Sequence, residues 1–413
     1  MEHAKQPKFE LGDTSDAGSS DANRLKNQII LISLFFLAVS VYASSRGIGW
    51  GVWQFLTGAS DSYSDFFGDR MESTSDYYHM APEYGVLAPG GVWIGYFFSF
   101  FTMPLALWLF QLLALGTTFL SISFLITNQP LYRPIIFVVC SFPFLFAYFR
   151  GNNDIWQFPM LALYLGLLQR KKFITAAVCL GFLSTVEPYN AVFSVLMFAF
   201  GIRFFILTVS TSIVVTTSLF FIGARDLIRY FDLFQTTSAW YSKVYIIGDN
   251  GLLANNSLWG FGKFFLFEVI NSRNESIKAS VYPFFAIMSL IGMTLAIAIV
   301  YFSRGKVEKT FESFALLGVS IVLFAPTSAT YKLVILIVIM TALIFKYWTR
   351  ELNIVAILLT VTVIPKSWIW FRWPEWMLGC TLDTVVNPLI LSSVYILLVS
   401  RLIRDLRKKS VIK

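Results

Sequence analysis

The chemistry-bearing side chains lie closest together in the run Asp61-Ser-Tyr-Ser-Asp65-Phe-Phe-Gly-Asp69-Arg-Met-Glu72-Ser-Thr-Ser-Asp76-Tyr-Tyr-His79. Asp61, Asp65, Asp69 and Glu72 recur every three or four residues, so on a helix they share a side. Phe66, Phe67 and Met71 give that helix an apolar side suited to a membrane surface. Crowding by like charges and partial desolvation make a carboxylate a stronger base, fit to take a proton from an acceptor hydroxyl. The same pattern also fits a solvated acidic face. Four carboxylates could hold Ca²⁺ or Mg²⁺, but the run has neither an Asp-x-Asp pair nor the EF-hand order, so no metal is expected.

The elements that must position this run are membrane helices. Of the 413 residues, 56% are hydrophobic and only 14% charged, against about 25% charged in a soluble domain. Mean hydropathy is +0.67 and aromatics reach 17%. These values exclude a soluble enzyme, a disordered chain and a coiled coil. The net charge of +8 needs no nucleic-acid partner, because basic residues hold membrane proteins against the cytoplasmic leaflet. Cys140, Cys179 and Cys380 have no metal-ligand spacing, and the first two lie in apolar runs as small core residues.

The expected fold is an all-α polytopic membrane protein of about twelve transmembrane helices. The apolar runs fall at 28–45, 105–126, 134–149, 154–168, 173–188, 190–203, 204–222, 280–303, 311–326, 331–348, 352–368 and 384–403. Residues 88–103 are expected to dip into or lie on the outer interface ahead of the second run, 105–126. Residues 1–27 read as a disordered cytoplasmic tail without a signal-peptide pattern, 28–403 as the membrane domain and 404–413 as a basic tail. Parity and the Lys/Arg clusters at 170–172, 304–309, 346–350 and 401–413 place both termini inside. Two long outer loops, 46–104 and 223–279, are then where function is expected.

Further segments carry a family resemblance. Gly151-Asn152-Asn153-Asp154, Asn255-Asn256-Ser257-Leu258-Trp259-Gly260 and Ala325-Pro326-Thr327-Ser328-Ala-Thr-Tyr-Lys332, together with an acidic first outer loop, resemble the GT-C membrane glycosyltransferases. Within that superfamily they are most similar to glycosyltransferase family 87, which contains polyprenyl-phosphate-mannose-dependent mannosyltransferases. The likeness spans roughly residues 28–350. It departs at Glu187-Pro188, where many members have Lys-Pro, and at Lys332, where His is usual.

The resemblance implies an inverting transfer of one sugar, mannose by default, from a polyprenyl-phosphate donor. The acceptor is a lipid-linked or polysaccharide glycan at the outer face of the plasma membrane. It places the base at Asp65, with Asp69 and then Asp61 as alternatives. Cations at outer helix ends would receive the leaving phosphate, Lys332 ahead of Arg372 and Lys366, although each also fits a snorkelling interfacial residue. Glu187, His79, Asn256 and Trp370 are the expected substrate contacts; an ion pair, a surface position and an aromatic belt are the plainer readings of Glu187, His79 and Trp370. No GxGxxG or P-loop pattern appears, and no cofactor is expected. A lipid-linked oligosaccharide polymerase or ligase, using Arg225, Arg229 and Arg273, is the first rival. A transporter is the second, although the apolar runs hold almost no mid-span charge.

Overall fold

The computed structural model describes residues 16–46, 88–127, 129–219, 227–247, 255–266, 275–303, 309–366, 370–371 and 380–410. Each apolar run of the sequence is helical, because only a helix satisfies its own backbone where no water is available. In chain order the helices are α1 (Asp16–Ser45), α2 (Pro89–Ser99), α3 (Met103–Leu125), α4 (Tyr132–Val139), α5 (Phe142–Arg150), α6 (Gln157–Gln169), α7 (Phe173–Val186), α8 (Ser194–Phe200) and α9 (Ile202–Ser218). There follow α10 (Leu227–Tyr241), α11 (Leu258–Phe264), α12 (Glu275–Phe302), α13 (Thr310–Phe324), α14 (Val334–Phe345), α15 (Asn353–Val363) and α16 (Leu382–Ser410). A two-residue antiparallel pair, Trp370–Phe371 with Cys380–Thr381, precedes α16. Short 3-10 turns at Asn153–Trp156, Pro188–Phe193 and Thr330–Leu333 open α6, α8 and α14.

The expected count of twelve spanning helices is not reached. Among the described residues, four helices are long and apolar enough to cross a bilayer: Asn23–Ala43, Met103–Leu125, Val281–Phe302 and Leu382–Arg407. The run expected at 134–149 is broken between α4 and α5 by a 63° bend, and counting this pair as one span gives five. The break falls where Ser141 is extended (ψ 137°) as the N-cap of α5, and Pro143 in the first turn has no N–H with which to bond back to the carbonyl of Val139, so α4 cannot run on through it. The other runs form helices of at most 17 residues. α14 has 12 residues, about 18 Å at 1.5 Å per residue, against roughly 30 Å of hydrocarbon.

Apolar sequence does not separate a lipid-facing helix from a core helix, and here two of the runs are core. Every residue of α13 and of α14 is buried. They pack on each other and against α6, α12, α15 and α16. α3, α7 and α9 form part of the rim, with Leu120, Ile174 and Val214 each more than 60% exposed. α1 already begins at Asp16, inside the segment expected to be disordered, and α16 runs on to Ser410 through the expected basic tail. α2 buries Gly90, Gly91, Val92, Gly95 and Phe98. Trp93 Nε1 donates to Ser218 Oγ at the end of α9 (2.9 Å).

The bundle has two chemically different ends. At one, Lys346 Nζ donates to Leu125 O (3.0 Å) and to Gln169, and Lys26 lies over the Trp348 ring. Lys309 pairs with Asp405 and Glu312 there, and Arg401 with Glu312 and Glu351. The Lys/Arg clusters that the sequence assigned to one side therefore meet at one end. The three 3-10 turns and the Asn255–Ser257 segment gather at the other. Leu37 and Val41 of α1 pack on Phe142 and Phe146 of α5, and Gly90 faces Thr185 and Val186 at the end of α7. Both described flanks of residues 47–87 therefore lie toward this second, polar end.

Candidate active site

The Gly-Asn-Asn-Asp segment builds the first half of a polar cluster. Gly151 ends α5 in the left-handed region (φ 69°), where a side chain is disfavoured. Asn152 then caps the next turn, its Oδ1 accepting from Asp154 N–H at 2.8 Å. The turn carries Asp154 inward until it is 2% exposed. A second segment meets it there. Glu187 is held extended by Pro188, which stops α7 and starts the turn bearing Tyr189 and Asn190. Tyr189 donates its hydroxyl hydrogen to Asp154 Oδ1, and Gln157 Nε2 donates to the Tyr189 hydroxyl.

Lys332 closes this cluster. Its ammonium stands 4.8 Å from the centre of the Tyr189 ring and donates to Thr327 O at 3.1 Å. Glu187 lies in the field of both Asp154 and Lys332. Two carboxylates, one ammonium, one phenol and one amide thus share a small volume at the polar end. Among the described residues, Gln157 Oε1 and both polar atoms of the Asn190 side chain are buried without a hydrogen-bond partner. These are groups that a polyhydroxylated ligand satisfies.

The Asn-Asn-Ser segment forms a second arm against the Pro326–Ser328 strand of chain. Asn256 N–H and Nδ2 both donate to Ser328 O, at 2.7 and 2.9 Å. Asn255 Oδ1 accepts from Ser328 N–H at 2.9 Å, and Asn255 Nδ2 donates to Pro326 O at 3.2 Å. Ser257 caps α11 by accepting from Gly260 N–H. Gly260 fits because a Cβ there would stand 2.7 Å from Asn255. Asn387 Nδ2 on α16 donates to Asn256 Oδ1 at 2.6 Å, linking this arm to Asp383. Asp383 pairs with Lys366 at 3.2 Å.

An apolar slot of about 700 Å³ opens beside the first cluster. Trp156, in the same turn as Asp154, lines it, with Trp93, Phe97, Leu113, Leu120 and Phe124 among its other walls. From Leu113 to Phe124 the slot follows α3 for about 16 Å at helical rise.

Of the residues singled out from sequence, the structure brings Lys332 and Glu187 together and sets Asn256 in the adjoining arm. Lys366 is only 7% exposed and donates to the carbonyls of Val361, Thr362 and Ile364 as well as pairing with Asp383. Trp370 falls in the short strand pair, opposite Thr381. Asp61, Asp65, Asp69, His79 and Arg372 lie outside the described residues. Tyr189, Gln157, Asp383 and Asn387 were not selected from sequence. Asp383 and Asn387 carried a signal, an acid and an amide at i,i+4 opening an apolar helix. Tyr189 and Gln157 carried none, since single polar residues beside Pro and Trp are commonplace.

The fold and this site define a helical membrane protein whose polar end holds a buried acid–phenol–lysine cluster beside a lipid-sized slot. Residues 88–326, more than half of the chain, match the model of glycosyltransferase family 87. The chain belongs to that family and is a membrane glycosyltransferase. The matched region holds two of the three motifs quoted above in full and the Ala325-Pro326 start of the third; the acidic run at 61–79 precedes it. No curated protein and no solved structure matches the chain.

Proposed function

We propose that the chain is an inverting, GT-C-type glycosyltransferase that moves a single sugar, mannose by default, from a polyprenyl-phosphate donor. The acceptor is a lipid-linked or polysaccharide glycan at the outer face of the plasma membrane, and both termini are cytoplasmic. In this reading the twelve apolar runs make one membrane domain over 28–403, the short ones serving as packed or broken segments. The observation that carries it is the slot, whose apolar wall at Trp156 continues directly into the turn bearing Asp154. A lipid tail in the slot would bring its anionic head to the polar cluster.

The acceptor oxygen attacks the anomeric carbon, the bond from that carbon to the phosphate oxygen breaks, and the configuration inverts through an oxocarbenium-like state. Asp65 takes the acceptor proton, with Asp69 and Asp61 as its alternatives. Both flanks of residues 47–87 reach the polar end, which supports this assignment. Lys332 takes the leaving phosphate, because its ammonium is half-buried and donates to the Thr327 carbonyl, which leaves donor capacity for an anion. Arg372 is a second cation for the same role. Lys366, committed to three carbonyls and Asp383, acts instead as an anchor of α16. Glu187, Asn256, His79 and Trp370 contact the sugars.

The test is incubation of the purified protein in nanodiscs with radiolabelled polyprenyl-phosphate sugars and a native lipid extract. Label appearing in a new glycolipid or glycan is the expected result. Transfer from a diphosphate-linked oligosaccharide alone would overturn the monophosphate donor and favour a polymerase or ligase.

A further inference from the structure

α7 and α9 leave the basic end of the bundle side by side. The Phe173 ring that opens α7 stacks on Phe200 at 4.7 Å and packs on Phe204 of α9 at 5.3 Å. Neither helix start has a side-chain cap. Their first-turn N–H groups therefore lack partners within the helix and carry partial positive charge. Lys171 and Lys172 precede α7, and Arg203 is the second residue of α9. All three are exposed.

These cations differ from Lys309 and Arg401 at the same end. Lys309 and Arg401 share Asp405, Glu312 and Glu351. Among the described residues, no carboxylate pairs with Lys171, Lys172 or Arg203. The sequence offers no local relief either. Between Asp154 and Asp226 the one acidic residue is Glu187, which belongs to the opposite end. Three charges and two helix termini thus stand together uncompensated.

Beneath them lies a cleft of about 800 Å³. Ile174, Ile206 and Leu207 line its apolar part, and Thr175 and Ser210 place hydroxyls in it. Ile174 and Ile206 are 66% and 55% exposed on helices whose surfaces are apolar, so the cleft opens sideways to lipid. Cations above an apolar, laterally open cleft complement a molecule with an anionic head and hydrocarbon chains. A soluble anion would gain nothing from the lower walls, and a neutral lipid nothing from the rim.

We propose that this cleft is a binding site for an anionic phospholipid, its phosphate held by Lys171, Lys172 and Arg203 and an acyl chain laid along Ile174, Ile206 and Leu207. The site is at the opposite end from the sugar-transfer cluster and stands whether or not that reading of the reaction holds.

The full-length protein, purified into nanodiscs of equimolar phosphatidylglycerol and phosphatidylcholine, is released into native mass spectrometry and its retained lipids are counted. Selective retention of phosphatidylglycerol is expected. Each neutralised cation lowers it roughly fivefold, so K171Q/K172Q/R203Q loses on the order of a hundredfold. K171R/K172R, which keeps the charge, retains the lipid. Ser210→Trp, which fills the cleft and leaves all three cations, loses it. Equal retention of phosphatidylcholine, full retention by the triple variant, or full retention by Ser210→Trp would each overturn the proposal. Should the triple variant not fold, the Ser210→Trp comparison decides alone.

Discussion

Removing Asp383 should cost more than any substitution on the surface of the bundle. Lys366 and Asp383 are 7% and 3% exposed and stand 3.2 Å apart. The Lys366 ammonium also donates to Val361, Thr362 and Ile364 carbonyls at 2.7, 3.1 and 2.8 Å. In Asp383→Ala these carbonyl bonds remain, but the buried ammonium loses its counter-charge. Breaking a buried pair in this way costs about 3–5 kcal/mol, roughly two to three and a half orders of magnitude in the folded-to-unfolded ratio. Lys366→Met strands the carboxylate and should cost a similar amount. Replacing both, as K366M/D383L, removes two desolvation penalties at once and should come within about 1 kcal/mol of the parent or exceed it. The assay is equilibrium unfolding in mixed detergent micelles followed by tryptophan fluorescence, with D383L added so that the parent, K366M, D383L and K366M/D383L close one double-mutant cycle. The reasoning fails if the two single costs simply add in the double variant, or if Asp383→Ala costs less than about 1 kcal/mol.

Three more outcomes follow from the site. Lys332→Gln should lower turnover by about 10²–10³-fold, the usual loss for one cation or donor at developing negative charge, while Lys332→Arg keeps much of the rate; steady-state transfer assays at saturating donor measure both. Asp65→Asn should abolish transfer and leave expression and detergent-extracted monodispersity intact, and unchanged turnover would remove Asp65 as the base. Gly260→Ala should destabilise by about 1–3 kcal/mol, because its Cβ would stand 2.7 Å from Asn255, and a thermal melt of the purified protein reads the loss.

The helical class, the membrane setting and the place of each apolar run were legible in the residues, since a run of Leu, Ile, Val and Phe without charge has one stable backbone form away from water. The number of crossings was not. The runs at 311–326 and 331–348 read as spanning helices, and whether they face lipid or protein was not legible; α13 and α14 are buried on all sides. Hydrocarbon and protein interior demand the same side chains, so hydropathy cannot separate them. The run at 134–149 read as one span, and the 63° bend that divides it depends on what α4 and α5 pack against.

The site divides in the same way. The motif residues around Asp154, Glu187, Asn256 and Lys332 were visible one by one, each with a local duty as cap, helix stop or turn that its neighbours dictate. Their meeting was not visible, because it joins segments up to 178 positions apart, from Asp154 to Lys332. Nor did the sequence tell Lys332, beside the Tyr189 ring, from Lys366, consumed by Asp383 and three carbonyls. Both are lysines at an end of an apolar run. Sequence alone determined which chain segments are helical and where their polar punctuation falls, because backbone bonding and solvation are local. Only the tertiary structure decided which punctuation marks converge, because a contact between distant segments is set by how whole helices pack, and no single residue carries that information.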